Sequence, residues 1–256
     1  MPSTAFPPYL FNSEIFVTVA QGVKNMMVED VLIPILLSLK IVLVATACVF
    51  VGGVFLARLL LTQNFFGKEV IESLLLLPMV LPPTVTGFGL LVLFGKHGPL
   101  GVLTRFLFGG QVLFTWGAAV IAAAIVAFPL MYQSARAAFE KVDARQEQAA
   151  RTLGAGELRV FFTITLPQAW PGILSGLVLA FTRAYGEFGA TLMVAGNIPG
   201  KTQTVPMAIY FAVESGNYRV AVPLVAATAL ISLGAILWLK IWLKRKFWCY
   251  TERKMG

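Results

Sequence analysis

The chain has 256 residues, of which 58% are hydrophobic and only 12% are charged, whereas soluble domains carry about 25% charged residues. This composition excludes an ordinary soluble domain and indicates a membrane protein. The formal net charge of +8 comes from 20 Lys and Arg against 12 Asp and Glu, and the placement of these charges along the chain indicates membrane topology rather than a nucleic-acid partner.

The N-terminal part of the chain leads into the first predicted membrane span. In residues 1–30, apolar side chains recur at roughly helical spacing between charged ones, so an interfacial helix and an extracytoplasmic arm both stay open as interpretations. A first span begins near Leu32, because the seventeen residues between Lys40 and Arg58 carry no charge and leucine-rich flanks extend them.

The second predicted span, Ser73 to Gly95, contains a cluster of helix-breaking residues. Twelve consecutive positions include Pro78, Pro82, Pro83, Gly87 and Gly89. Each proline removes a backbone donor and obstructs the preceding turn, and in hydrocarbon the freed carbonyls need partners in the protein or in a wet cavity. The pattern predicts a broken helix that lines a translocation path, with polar groups supplied by Thr84 and Thr86. A proline-kinked packing helix is the alternative interpretation.

The next segment, Gly95 to Gln111, is rich in glycine and predicts a loop. His97 is the single histidine and has no carboxylate nearby in sequence, so we interpret it as a solvated loop residue rather than a base or ligand. With one histidine and two cysteines at different depths, the sequence predicts no metal site and no disulfide. Val112 to Ala135 carries no charge and predicts the third span, with a kink at Pro129.

A polar loop, residues 140–167, follows the third span and must lie in water. Its first half, Glu147 to Leu153, has good helix formers and predicts a short helix that ends at Gly154. A helix of about two turns is marginal in water on its own. The small side chains of Ala149 and Ala150 suit an element that inserts into a groove on a partner protein.

The fourth predicted span, Gln168 to Val194, carries Arg183 and Glu187 at membrane depth. Residues four apart share one face of a helix, and charges at this depth usually face the bundle interior or water. We interpret the two residues as a polar patch beside the translocation path. An intrahelical ion pair that fixes packing is a compatible alternative.

One further span and a basic end complete the chain. Met207 to Val213 is apolar but too short to cross a bilayer, whereas Val220 to Leu239 predicts the fifth span. The predicted domains are therefore the segment 1–30, a transmembrane domain over residues 31–246 and a basic cytoplasmic tail over residues 247–256. The predicted fold is that of an all-α integral membrane protein with about five transmembrane helices.

The distribution of Lys and Arg predicts the orientation of these spans. Thirteen cations lie on one side of the predicted membrane and six on the other, with Arg183 inside a span. The richer side includes the 140–167 loop and the C-terminus, and is cytoplasmic by the positive-inside rule. The N-terminus is then extracytoplasmic.

The 140–167 loop contains a motif at fixed spacing. Gln-Ala-Ala at 148–150 is followed by a glycine four residues after the second alanine and by Ile-x-Leu-Pro at 164–167. This segment resembles the cytoplasmic loop of the permease subunits of bacterial ABC importers, in which Glu-Ala-Ala is usual. Gln148 departs from that pattern, and Glu147 lies one residue early. The resemblance implies an ATPase-coupling site formed by Glu147, Gln148, Ala149, Ala150, Leu153, Gly154, Ile164, Leu166 and Pro167.

Two further stretches, residues 81–101 and 186–210, resemble the molybdate-type permeases within this superfamily. The sulfate permeases are similar in the Gly-Glu-Phe-Gly-Ala core at 186–190 but look different at 193–200. The resemblance implies the type I ABC-importer permease fold in the bacterial inner membrane and the import of molybdate by alternating access. Sulfate and tungstate importers share these mechanical features and stay as alternatives.

The resemblance also implies partners. They are a second copy of this chain, two cytoplasmic ATP-binding subunits, an extracytoplasmic oxyanion-binding protein and membrane lipid. The chain has no G-x-x-x-x-G-K-[ST] phosphate loop, so we expect ATP to be bound by the partner subunit and this chain to be neither an enzyme nor a cofactor-binding protein. A secondary transporter is a weaker alternative, because it needs ion-coupling carboxylates and usually internal repeats, whereas only Glu187 lies deep.

Overall fold

The structure is a computed structural model that describes residues 28–255, with side chains described except at residues 107–108 and 243–255. Every regular element in this range is helical. The α-helices in chain order are α1 Ile33–Thr62, α2 Lys68–Val80, α3 Pro83–Phe94, α4 Pro99–Phe108, α5 Trp116–Glu140, α6 Ala144–Thr152, α7 Glu157–Val160, α8 Leu166–Tyr185, α9 Gly189–Ala195, α10 Val205–Glu214 and α11 Tyr218–Met255. π-Helical turns over Val28–Leu32 and Phe161–Thr165 lead into α1 and α8.

Four helical segments are long and apolar enough to cross a bilayer. They are Val28–Thr62, Trp116–Glu140, Glu157–Tyr185 and Tyr218–Trp242. The bent pair α2 and α3 makes a fifth crossing if it is counted as one span. This count, made over residues 28–255, confirms an all-α membrane protein with about five spans. The interpretations of segment 1–30 concern residues that lie almost wholly outside the described range.

The centre of the bundle is formed by α1, α5 and α8. Alanines dominate the buried face of α5, at positions 118, 119, 122, 123, 127, 135 and 138. Glycines of the two neighbours lie against the same helix, since a Cβ at Gly53 would be 2.8 Å from Met131 and a Cβ at Gly176 would be 2.5 Å from Ser134. Helices in lipid associate through close backbone packing rather than through the hydrophobic effect, so these small residues determine how the three helices meet.

Adjacent prolines separate α2 from α3, and the two helices differ in direction by 119°. Leu81 and Pro82 both have extended backbone, and Pro83 occupies the first position of α3, where a missing N–H and a fixed φ are tolerated. The predicted break in the second span is therefore confirmed. A bend of this size is inconsistent with the alternative of a merely kinked packing helix.

The prediction of a loop from Gly95 to Gln111 is wrong over most of its length, because α4 occupies ten of these residues. Pro99 stands at the start of α4 and Gly109, with φ of +69°, ends it. Proline at the first helical position and glycine just past the last are favourable boundary signals, and the apolar residues between them form the helix.

The fourth span differs from its predicted range, Gln168 to Val194, at both ends. Helical backbone already begins at Glu157, because the second half of the polar loop continues into α8 through a π-helical turn. At the other end α8 stops at Tyr185, and α9 is a separate short helix. The buried carboxylate of Glu187 accepts the N–H of Ala190, the second residue of α9, at 2.9 Å, so this side chain satisfies a free donor in the first turn of α9 instead of continuing α8.

The short apolar segment after the fourth span is helix α10. Its ten residues are too few to cross a bilayer, as predicted. The hydroxyl of Ser38 in α1 accepts the backbone N–H of Val205 at 2.7 Å, and the buried side of α10 packs against the start of α11. The backbone of α11 continues as a helix through the predicted tail to Met255.

Candidate functional site

The loop that resembles the coupling loop of ABC importers contains helix α6. The carboxylate of Asp143 accepts the N–H of Arg145 at 2.9 Å and caps the helix, so α6 begins at Ala144 rather than at Glu147. At its other end Gly154 has φ of +81°, a left-handed conformation that glycine adopts without strain. The predicted short helix and its end at this glycine are both confirmed.

Most of the coupling loop is exposed to solvent, and we give the name outer face to five of its exposed residues. It consists of Gln148, Ala149, Leu153, Gly154 and Leu158, and the two leucines are 88% and 77% exposed. The described part of the chain leaves this face uncovered. Two exposed leucines beside small residues match what a groove on a partner protein would accept.

The remaining motif residues lie on the inner side or on the connection to α8. Ala150 is half-buried, as are Ile164 and Leu166. Pro167 is exposed and lies in the first turn of α8, where proline is tolerated. These residues therefore join the coupling loop to the fourth span, whereas the outer face is formed by the others.

Glu147 is turned away from the outer face and into the protein. Its Oε1 atom accepts a hydrogen bond from the hydroxyl of Thr165 at 2.5 Å and lies 3.4 Å from Nη2 of Arg58. Arg151, one turn further along α6, approaches Oε2 at 3.6 Å. The Glu147 side chain is only 13% exposed. The charge of Glu147 is therefore compensated by contacts within this chain.

Arg58, near the C-terminal end of α1, is a site residue that the sequence analysis did not single out. Its guanidinium carbon lies 5.8 Å from the ring centres of both Phe139 in α5 and Phe161 before α8, which is within the range of cation–π attraction. Arg58 consequently contacts α5, α6 and the approach to α8 from α1. Its charge directly after an apolar span was its only signal in the sequence.

A second ion pair lies on the surface of the coupling loop. Arg151 donates to the two carboxylate oxygens of Glu157 at 2.6 and 3.1 Å. These hydrogen bonds raise the pKa of the Arg151 guanidinium above its ordinary value. Both side chains are exposed, so the pair contributes little stability; its structural consequence is to hold α7 beside α6.

The two stretches that resemble molybdate-type permeases contact each other through glycines. A Cβ at Gly87 of α3 would lie 2.8 Å from the Cα of Ala190, and a Cβ at Gly189 of α9 would lie 2.9 Å from Pro83. Helices α3 and α9 therefore approach at backbone distance, each presenting a glycine to the other. This contact brings the predicted path residue Pro83 against Gly189, two residues after Glu187.

The residues predicted for the translocation path differ in exposure. Pro82, Pro83 and Thr84 at the start of α3 are exposed, whereas Thr86 is buried. The Thr86 hydroxyl lies 3.5 Å from the Pro82 carbonyl, which already accepts the backbone N–H groups of Val85 and Thr86 at 2.9 and 3.1 Å.

Arg183 and Glu187 form the predicted ion pair, with 2.8 Å between Nη1 and Oε2. The prediction that the two residues share one face of a continuous helix is wrong, because α8 ends at Tyr185. The carboxylate is buried at the break, with its side chain 2% exposed, while the Arg183 side chain is 35% exposed. The cation of the pair is therefore partly accessible to solvent, whereas the carboxylate is buried.

An ion-pair cluster that the sequence analysis missed joins α2 to α5. Arg136 pairs with Glu72 through Nη1 and with Glu140 through Nε, the latter at 2.9 Å. One oxygen of Glu72 and the Tyr132 hydroxyl are buried without a hydrogen-bond partner. Because α2 leads directly into the break at Pro82, this cluster fixes one arm of the bent pair to the centre of the bundle.

A metal site is not formed by the described residues. They contain no group of three or more His, Cys, Asp or Glu side chains that could hold an ion. His97 is exposed within the connection between α3 and α4, in agreement with its interpretation as a solvated residue.

Comparison with known proteins gives a family and several close relatives. A family model described as "Binding-protein-dependent transport system inner membrane component" matches residues 49–246. The chain is 49% identical over 210 residues to the molybdenum transport system permease protein ModB of Escherichia coli (strain K12), covering 80% of this chain and 91% of that protein. It is 43% identical over 205 residues to ModB of Haemophilus influenzae, covering 80% and 87%.

A relative with another named substrate is more distant. Sulfate permease 2, chloroplastic, of Chlamydomonas reinhardtii is 38% identical over 185 residues, which cover 72% of this chain and 50% of that protein.

Solved structures share the fold. A chain of an amino acid ABC transporter matches with a TM-score of 0.60 and 20% identity, covering 90% of this chain and 98% of that chain. A chain of the MetNI methionine ABC transporter in inward-facing conformations matches with a TM-score of 0.68 and 15% identity, covering 86% and 97%. The predicted type I ABC-importer permease fold is thereby confirmed.

Proposed function

This chain belongs to the family of binding-protein-dependent transport system inner membrane components, and we propose that it is the membrane-spanning subunit of an ATP-driven molybdate importer. The family match runs from residue 49 to residue 246 and so includes the coupling loop and both helix breaks. The family and the apolar helices agree on a multi-pass protein of the inner membrane.

The proposed substrate rests on one observation, the order of similarity among the relatives. Two proteins named for molybdenum transport are 49% and 43% identical to this chain, whereas the sulfate permease of Chlamydomonas reinhardtii is 38% identical. The two stretches that resemble molybdate-type permeases also form one structural unit, because α3 and α9 meet at Gly87 and Gly189. We therefore assign molybdate as the first candidate substrate.

In this proposal ATP is bound by partner subunits and not by this chain. Two copies of the chain would associate with two cytoplasmic ATP-binding subunits, whose grooves would receive the outer face of each coupling loop, and with an extracytoplasmic oxyanion-binding protein. Closure of the ATPase pair would move α6, and the flanking spans would alternate between inward-open and outward-open states. The exposed Leu153 and Leu158 support this docking.

The helix breaks are the proposed lining of the translocation path. The residues assigned to it are Pro82, Pro83, Thr84, Thr86, Arg183 and Glu187. Exposed proline and threonine groups at the start of α3 and the one-third exposed Arg183 support this assignment. An oxyanion that bound tightly here would not be released, so specificity would reside mainly in the binding protein.

The orientation in this proposal follows the positive charges. The coupling loop and the C-terminus are cytoplasmic and the N-terminus is extracytoplasmic, since thirteen of the Lys and Arg residues lie on the side of the coupling loop.

Uptake into proteoliposomes tests the function. The vesicles contain the chain with its ATPase subunits, and the binding protein is added outside with molybdate. We expect molybdate to accumulate only with ATP inside, as measured by elemental analysis of the washed vesicles. Accumulation without ATP would contradict the proposal and favour a secondary transporter.

Competition in the same vesicles separates the candidate substrates. Excess tungstate should reduce molybdate uptake strongly, because the two oxyanions have the same charge and nearly the same size. Excess sulfate should reduce it little. Preferred uptake of sulfate would instead favour the second candidate, a sulfate importer, for which the similarity to a sulfate permease is the supporting observation.

A further inference from the structure

The coupling helix α6 has few means of its own to remain in place. It has nine residues, and isolated helices of this length are marginal in water. Its outer face is exposed, and none of its residues is buried. The polar contacts of Glu147 on its inner side, together with an exposed hydrogen bond from the Gln168 amide to Gln146 at 2.8 Å, link α6 to the membrane spans.

Three residues form the part of this link that is centred on Glu147, and we call them the coupling clamp: Arg58, Glu147 and Thr165. They come from α1, from α6 and from the turn before α8. The contact between Arg58 and Glu147 joins residues 89 apart in sequence, and that between Glu147 and Thr165 joins residues 18 apart. Any displacement of α6 that keeps these contacts must carry the ends of the first and fourth spans with it.

The surroundings of the clamp make its contacts stronger than those of a surface ion pair. Thr165 is fully buried and the Glu147 side chain is 13% exposed. The rings of Phe139 and Phe161 flank the Arg58 guanidinium and lower the dielectric around it. Charge-assisted hydrogen bonds under such conditions are roughly twice as strong as neutral ones.

We propose that the coupling clamp of Arg58, Glu147 and Thr165 transmits the movement of the coupling helix to the first and fourth spans. This inference rests on the proposed function. The three residues are positioning residues, because they act on the path through the spans and do not touch the substrate. The core of the bundle packs through small residues of α1, α5 and α8 and does not depend on the clamp, so loss of the clamp should uncouple the transporter rather than unfold it.

The experiment measures the ratio of molybdate taken up to ATP hydrolysed in proteoliposomes that contain the complete transporter. The variants are Arg58→Met, Glu147→Ala and the double variant. Methionine keeps an unbranched apolar stem against the two rings, and alanine is the best helix former. Glu140→Gln is the control, since it removes a carboxylate from an exposed ion pair whose Arg136 keeps Glu72 as a partner.

We expect each single variant to lower the ratio by about fivefold or more, a typical lower limit for energetic coupling between sites, while the ATPase subunits still co-purify. The double variant should fall no further than the worse single variant, because both changes break one contact. The control should match the wild type.

Three results would overturn the inference: an unchanged ratio in the single variants, losses that multiply in the double variant, or the same loss in the control. If Arg58→Met reduces the yield of the complex, Thr165→Val takes its place in the experiment, because it removes one hydrogen bond at nearly constant volume. An unchanged ratio of uptake to ATP hydrolysis in both Thr165→Val and Glu147→Ala would then overturn the inference. Failure of the wild type to import molybdate would instead refute the proposed function.

Discussion

Arg183 and Glu187 are paired across the end of helix α8 at 2.8 Å, and the two partners are buried to very different extents. The Glu187 side chain is 2% exposed and also accepts the N–H of Ala190, whereas the Arg183 side chain is 35% exposed. The pair is therefore asymmetric. The buried carboxylate relies on Arg183 for charge compensation, whereas the guanidinium can also be solvated by water.

This asymmetry predicts unequal effects of removing the two charges. Arg183→Gln leaves a buried carboxylate unpaired, and breaking a buried pair typically costs about 3 to 5 kcal/mol. Glu187→Gln leaves an arginine that can be solvated and an amide oxygen that can still cap α9, so its cost should be smaller. The double variant should be more stable than Arg183→Gln alone. Thermal unfolding of the detergent-solubilised chains measures this, and strictly additive losses would show that the residues do not interact.

The contact between α3 and α9 predicts that glycine is required at specific positions. A Cβ at Gly87 would lie 2.8 Å from the backbone of Ala190, so Gly87→Ala must displace one of the two helices and should lower both stability and transport. Gly89→Ala is the matched control in the same helix, because a Cβ there has nothing within 4 Å; it should be neutral or stabilising by up to about 1 kcal/mol. Equal melting temperatures for the two variants would contradict the contact.

The outer face of the coupling loop predicts a variant that loses its partner without losing its fold. Leu153 is 88% exposed, so Leu153→Asp removes little buried surface within the described chain. If this leucine is buried in a groove of the ATPase subunit, its loss should remove about 1.5 to 3 kcal/mol of binding, which is roughly tenfold or more in affinity. Co-purification of the ATPase subunit at limiting concentration measures this. Ile198→Asp, on a loop that our topology places at the opposite side of the membrane, should bind normally; equal binding by both variants would argue against the outer face.

Bulk at small positions of the coupling loop provides an independent test. Gly154→Trp places a large side chain at a φ of +81°, where non-glycine residues are strained, and Ala150→Glu adds a charge to the half-buried side of α6. Both chains should insert into the membrane and yet show reduced uptake and reduced ATPase association. Unchanged co-purification of the ATPase with both variants would contradict this assignment of the coupling helix.

Features encoded by backbone chemistry could be predicted from the sequence, and features that depend on distant contacts could not. The prolines at 82 and 83 break a helix wherever they stand, and Gly154 ends one for a similarly local reason. The end of α8 at Tyr185 was missed because Glu187 stands within an otherwise apolar segment, and only the structure shows that its carboxylate accepts the N–H of Ala190 in a separate helix.

The coupling clamp was missed for the same reason. Arg58 appeared only as one cation among those that set the topology, because its partner in α6 lies 89 residues away. The sequence indicated that the coupling loop meets a partner protein through Ala149 and Ala150, but the structure exposes Ala149 and leaves Ala150 half-buried. The direction of Glu147, toward Thr165 and away from the outer face, is set by tertiary packing.

The exposure of the threonines in α3 predicts which part of the broken span water can reach. Thr84 is exposed at the start of α3, whereas Thr86 is buried and bonded to the Pro82 carbonyl. In a background without the native cysteines, we expect Thr84→Cys to react with a water-soluble thiol reagent in at least one nucleotide state of the assembled transporter. Thr86→Cys should react at least tenfold more slowly, which corresponds to about 1.4 kcal/mol of protection. The rate of labelling, followed by mass spectrometry, measures both positions. If neither cysteine reacts in any nucleotide state, α3 faces lipid or protein only and does not line the path. If both react equally, position 86 is not protected in the assembled transporter, and water reaches further along α3 than its burial predicts.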